Sequence, residues 1–160
     1  MIVLLDNLRS IHNVGSIFRT ADAAGVTRLV LCGITPAPHD RFGRVVDALA
    51  KVALGAELVV PWESQVSTAD TVVKLKTEGF TVLAVEQRSD SVPYNGQVVL
   101  AHNMDQVALV MGGEVDGVSS EVLDLCDHVI EIPMHGEKES LNVSVAFGIV
   151  VFRLLEGAFA

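Results

Sequence analysis

Aromatic residues make up only 5% of the 160 residues, so the core cannot rest on large rings. Cysteine is scarcer still. Cys32 and Cys126 lie far apart in apolar surroundings, which excludes a disulfide framework and reads as two buried, reduced thiols. Basic residues are outnumbered, 11 Lys and Arg against 20 Asp and Glu, for a net charge of −9. That balance argues against a general nucleic-acid binder, whose affinity comes from phosphate contacts, but it leaves room for a local basic patch. No apolar run reaches the roughly 18 residues that a bilayer-spanning helix needs. Met1 leads directly into IVLLD without a basic start or a cleavage site, so we expect a cytoplasmic protein with no membrane association. The five histidines (His12, His39, His102, His128 and His135) show no HExxH and no paired Cys/His spacing, so no metal is expected. No serine sits in a G-x-S-x-G elbow, and there is neither a GxGxxG nor a phosphate loop ending in Gly-Lys-Ser/Thr.

What is present is a half-hydrophobic chain of Val, Leu, Ile and Ala, the composition of strands buried on both faces by helices. The pattern predicts strands at 2–7, 28–33, 57–62, 80–86, 106–114 and 128–134. It predicts helices at 13–25, 45–54, 68–79, 120–126 and 141–157, with loops at 35–44, 87–96 and 135–140. Gly25 and Gly79 stand where helix C-terminal caps belong. Alternating strands and helices define an α/β fold with a mostly parallel sheet flanked by helices. In such sheets ligands sit beyond the carboxyl ends of the strands, so the loops after Val85, Met111 and Ile132 are the candidates. Length and the absence of a linker suggest one domain over residues 1–160.

Three stretches carry polar groups that a packed core does not require. SIHNVGSIFRTADAAGV (10–26) sets Asn13 and Arg19 in a helix otherwise lined by small residues. MGGEVDG (111–117) follows a strand, and its glycines allow close approach to the backbone. It ends the strand with Glu114, which also reads as a solvated or capping carboxylate. IPMHGEKESLNVSVAFG (132–148) has Pro133 to stop a strand. Ser140 and Asn142 flank Leu141 at a helix start, where both are also ordinary capping residues. Asn13, Arg19, Glu114, Ser140 and Asn142 are all expected at or just after strand-to-helix junctions, which share one edge of a parallel sheet.

Together NVGSIFRTADAAGV (13–26), VALVMGGEVDGVSSEVLDL (107–125) and IEIPMHGEKESLNVSVAFGI (130–149) resemble the three motifs of SpoU/TrmH-type RNA 2′-O-methyltransferases of the SPOUT class, with KVALGAELVVPW (51–62) as a subsidiary match. The resemblance spans nearly the whole chain. It implies a C-terminal deep trefoil knot, an exception to the usual rules of chain connection. It implies S-adenosylmethionine as cofactor, held largely by backbone groups of Val85, Gly112, Ile132, Ser140 and Leu141, with Met134 nearby. It implies transfer of a methyl group to a ribose 2′-hydroxyl of tRNA or rRNA, and a homodimer built on the first-motif and C-terminal helices. Asn13 would brace the first-motif loop, Ser140 and Asn142 would orient ribose or cofactor, and Arg19 would face the methyl-transfer site. A guanidinium is always protonated, so Arg19 is better suited to clamping phosphate than to accepting a proton. That leaves Glu114 or solvent as acceptor.

Relatives often carry additional RNA-binding segments, whereas these residues read as a bare catalytic domain. RNA grip would then come from the dimer, from Arg41 and Arg44 in loop 35–44, or from an accessory protein. Many relatives have Asn or Pro where Gly113 stands, so Gly113 is expected to loosen the turn. The competing reading is a catalytically silent knotted dimer that binds S-adenosylmethionine or RNA without turnover.

Overall fold

The computed structural model describes residues 1–156. Seven strands form one sheet: β1 (Ile2–Asp6), β2 (Arg28–Cys32), β3 (Trp62–Gln65), β4 (Thr81–Val85), β5 (Val92–Pro93), β6 (Val107–Gly112) and β7 (His128–Glu131). Their order is β3-β2-β1-β6-β4-β7-β5, and every pairing between them is parallel. All carboxyl ends therefore lie on one edge, as expected. β6 enters between β1 and β4, and β7 between β4 and β5, although both come later in the chain.

Alternation along the strands feeds two cores. Val3 and Leu5 of β1 join Ile17, Phe18, Phe147 and Val151 on one face. Ile2 and Leu4 join Val72, Leu75, Val122 and Leu123 on the other. The first face is covered by α1 (Ile11–Ala24), α2 (Asp47–Ala53) and α7 (Val143–Leu155). The second is covered by α4 (Thr68–Thr77) and α6 (Ser120–Leu125). Two single turns, α3 (Ala56–Val59) and α5 (Gln97–Leu100), and a 3-10 turn at Met104–Gln106 complete the helices among the described residues. Among the described residues no helix is long and apolar enough to cross a membrane.

One expected strand is corrected. The run 57–62 begins as α3, and β3 starts only at Trp62. Leu54 and Gly55 both adopt positive φ, at 54° and 93°, which ends α2 and reverses the chain. The Glu57 carboxylate then accepts the Gly55 N–H at 3.0 Å, closing a helical turn until Pro61. The two-residue β5 lies inside the stretch 87–96 expected to be loop. The helix expected over 141–157 begins at Val143, because Asn142 is its N-cap; Gly157 lies outside the described residues.

Candidate active site

Helix α1 starts where β1 releases the chain. Ser10 is its N-cap, its hydroxyl accepting the Asn13 N–H at 3.2 Å. The Glu114 carboxylate, projected from the turn after β6, completes this N-terminus. It accepts the Arg9 N–H at 2.9 Å, the Ser10 N–H at 3.1 Å and the Asn13 side-chain amide at 2.8 Å. An anion here also faces the positive end of the helix dipole. Asn13 turns its other end to α7, its amide oxygen accepting from Asn142 Nδ2 at 3.1 Å. The Asn142 oxygen caps α7 by accepting the Ser144 N–H at 2.9 Å. Asn13 is thus the middle of a lock, Glu114–Asn13–Asn142, that joins three segments more than 100 residues apart in part.

The turn that carries Glu114 is held by close backbone approach. Gly113 and Gly117 exchange both hydrogen bonds of an antiparallel bridge, at 3.2 and 3.0 Å. A Cβ on Gly112 would collide with the backbone of Gly117 and Val118, and one on Gly113 would sit 2.8 Å from the Asn7 carbonyl oxygen. Gly113 therefore does not loosen the turn. It lets the turn press against the end of β1.

This turn forms one wall of a cleft of about 470 Å³ lined by Val85, Gly112, Glu114, Ser140, Leu141 and Asn142, among others. A smaller recess of about 90 Å³ continues it past Val85, Ser140 and Leu141 to Ile132 and Met134. Every residue expected at the cofactor site lines one of these two spaces. Ile132, Met134, Leu141 and Ala146 give the recess an apolar lining. Beside it, no backbone N–H between Met134 and Leu141 donates to another described residue, so these donors are left without a partner among the described residues. Ser140 lines both spaces without capping α7.

Glu114 is partly desolvated, which by itself raises a carboxyl pKa. The hydrogen bonds from Arg9, Asn13 and Ser10 outweigh that and hold it below its ordinary value. A carboxylate so engaged is a weak proton acceptor, and Glu114 serves here to clamp the start of α1.

Arg19 does not join the lock. It is exposed, lies six residues beyond Asn13 on α1, about 9 Å further along the axis, and forms no hydrogen bond or ion pair with the described residues. The expectation that it sits at a junction is corrected, since it stands in mid-helix. Arg41 and Arg44 lie in a hairpin after β2, where Arg44 pairs with Asp40 at 2.7 Å. Among the described residues no group of three His, Cys, Asp or Glu is placed to hold a metal ion.

Sequence reasoning overlooked Glu86 and Asn7. Glu86 follows β4 and lines both spaces. Its carboxylate accepts the Val118 N–H at 3.1 Å and the Gln87 N–H at 2.8 Å, fixing the far side of the glycine turn. A charged residue closing an apolar strand at the ligand edge was the available signal. Asn7, at a φ of 55°, accepts the Ile34 N–H at 3.2 Å and links the ends of β1 and β2.

A parallel sheet with a glycine-bounded cleft at its carboxyl edge, lined by the carboxylates of Glu86 and Glu114 and by Asn142, is the architecture of an α/β small-molecule-binding protein. The comparison with known proteins is more particular. Residues 1–152 match the SpoU rRNA Methylase family, and the chain belongs to that family. It is 35% identical over 152 residues to the 23S rRNA (guanosine-2′-O-)-methyltransferase RlmB of Ralstonia nicotianae, covering 95% of this chain and 57% of the relative. It is 34% identical over 151 residues to RlmB of Escherichia coli, covering 94% and 58%. The chain thus spans a little under three fifths of these curated relatives. Among solved structures it superposes on a TrmH/SpoU tRNA modifying enzyme of A. aeolicus with a TM-score of 0.81 at 31% identity, covering 97% of this chain and 73% of the other. It also superposes on an AdoMet-bound rRNA methyltransferase of Sinorhizobium meliloti with a TM-score of 0.87 at 28% identity, covering 99% and 57%.

Proposed function

We propose that the chain is an S-adenosylmethionine-dependent methyltransferase acting on a ribose 2′-hydroxyl of ribosomal RNA. The observation that carries this reading is the lock of Glu114, Asn13 and Asn142 beside the cleft of Val85, Gly112, Ser140 and Leu141. The cleft's volume falls within the roughly 300–1,000 Å³ of small-molecule sites. The apolar recess, the unpartnered backbone donors beside it and the glycine floor of the polar cleft suit an adenosine-bearing ligand. The cofactor supplies a methyl group already activated on a sulfonium. The chain has to hold it, bring the hydroxyl into line and exclude misaligned approach. Val85, Gly112, Ile132, Met134 and Leu141 shape its seat, and Ser140 and Asn142 orient what lies at the mouth. Because the Glu114 carboxylate is occupied, the hydroxyl proton goes to solvent.

Arg19 grips the substrate phosphate and stabilises charge growing on the oxygen. Its distance from the lock of its own chain supports a homodimer in which one copy's Arg19 faces the other's cleft. α7 offers a fitting surface. Val145, Ile149 and Phe152, spaced at i, i+4 and i+7, are 50%, 38% and 49% exposed, and α1 packs beside them, with Thr20 next to Gly148. We also propose the trefoil knot and a cytoplasmic location.

The test is calorimetric titration with S-adenosylhomocysteine, followed by transfer of labelled methyl to deproteinised ribosomal RNA with Arg19→Ala as control. Binding and transfer by the unchanged chain, with binding alone in Arg19→Ala, are expected. Binding without transfer by the unchanged chain makes it a silent module. No binding refutes the cofactor site.

A further inference from the structure

The hairpin between β2 and α2 is closed by side-chain and backbone hydrogen bonds, and it displays an aromatic ring. Phe42 stands at its tip, 67% exposed, in a chain with only six phenylalanines. The Arg41 guanidinium carbon lies 4.7 Å from the ring centroid and that of Arg44 5.1 Å. The Asp40 carboxylate clasps the turn. It accepts the Phe42 N–H at 2.8 Å, the Arg44 N–H at 3.0 Å and Arg44 Nε at 2.8 Å. Asp40 and Gly43 close a further backbone bond at 2.9 Å, with Gly43 at a φ of 77°. His39 at the root stacks on Trp62, ring centroids 6.1 Å apart.

The hairpin is also tied to the candidate site. It leaves from Thr35, whose hydroxyl accepts the Leu8 N–H at 3.1 Å, one residue before Arg9, which donates to Glu114. It returns into α2, which packs on α1 at Gly15. An exposed ring with two guanidiniums close to it has no role in the core. It offers solvent-accessible aromatic surface and two cations together, which is what an unpaired base and its phosphates require. Even with Asp40 engaging Arg44, the hairpin keeps a local excess of positive charge through Arg41 in a chain that is otherwise strongly acidic.

We infer that Phe42 is a stacking platform for an unpaired base of the RNA substrate, with Arg41 and Arg44 holding the adjoining phosphates. This rests on the RNA methyltransferase reading and deepens it, since it requires a single-stranded or looped target. Stacking contacts tolerate any base and depend on its being unpaired.

The experiment measures low-salt binding of a short oligoadenylate and of a blunt RNA duplex of equal length, beside an S-adenosylhomocysteine titration on each preparation. Phe42→Ala should weaken the single strand about tenfold, the scale of one lost base–aromatic stack, and leave the duplex unchanged. Phe42→Trp should retain the single strand, with emission quenched on binding relative to the unchanged protein, whose only tryptophan is Trp62. Equal affinity of Phe42→Ala and the unchanged protein, or unquenched emission from Phe42→Trp carrying bound strand, overturns the inference and leaves the hairpin as a surface for a protein partner. Failure of the unchanged protein to bind the strand while it binds S-adenosylhomocysteine also overturns it and spares the methyltransferase reading. Loss of both defeats the two together.

Discussion

Replacing Asn13 with Asp exchanges one heavy atom and reverses the electrostatics of the lock. The side-chain nitrogen that donates to Glu114 at 2.8 Å becomes an oxygen. A charge-assisted hydrogen bond, worth roughly 1.5–3 kcal/mol when well shielded, is lost, and water at this exposed site offsets part of that. Two carboxylates then face each other. At about 4 Å their repulsion is ~1 kcal/mol in bulk water and ~4 kcal/mol at an effective dielectric of 20, and the exposure of Glu114 favours the lower part of that range. Together the variant loses about 2–3 kcal/mol at neutral pH, a fall in Tm of roughly 4–12 °C for a chain of this size. The sign with pH follows. In the unchanged protein the depressed Glu114 pKa contributes stability above the usual carboxyl range, lost as pH falls through its folded value. In Asn13→Asp the pair instead has one raised pKa, so a shared proton restores the donor and the deficit shrinks as pH falls. Thermal melts of both proteins at about pH 8 and about pH 5 check this. A deficit of the same size at both values, or none at the higher one, refutes the account of Asn13 as the centre of the lock.

Gly15→Ala should lower stability by about 1–2 kcal/mol despite its better helix propensity, because the added Cβ would lie 2.8 Å from Val52 Cβ and 3.0 Å from the Leu49 carbonyl oxygen; denaturant titration reads this. Gly112→Ala should abolish S-adenosylhomocysteine binding, since the turn backbone must move, and calorimetry with a melt on the same sample separates lost binding from lost folding. Burial pushes the Cys32 thiol up to about 11 and the Cys126 thiol up to about 12. Both should therefore react with a thiol-disulfide reagent far more slowly in the native protein at neutral pH than in denaturant. Asp127→Asn should cost about 1–2 kcal/mol by weakening the contacts with Lys76 at 2.9 Å and the Val82 N–H at 2.8 Å. Burial raises the Asp127 pKa, but these partners hold it lower. The difference from the unchanged protein should thus fade as acid protonates the native carboxylate, which melts across acidic pH detect.

Much of this was legible in the residues. Apolar runs such as RLVLC and VALVM carry both cores, because a strand covered on two faces has no polar side to show. Gly25, with a φ of 72°, closes α1 where its position suggested. The polar residues Asn13, Glu114 and Asn142 stood out because burial patterns do not need them. Their partnership was not legible, since hydrogen bonds between Asn13 and Glu114, 101 positions apart, exist only once β1 and β6 lie side by side. Local chemistry misled at 57–62, where a carboxylate-to-backbone bond outweighed the β propensity of Leu-Val-Val. Arg19 could be recognised as unusual, but only its station on α1 showed that its own chain does not pair it with the lock. Residue order therefore determined which elements form and which groups are left over, because periodicity and capping act within a few residues. Tertiary structure alone decided which of those groups meet, because the strand order β3-β2-β1-β6-β4-β7-β5 brings distant segments to one edge, and no short-range rule encodes that order.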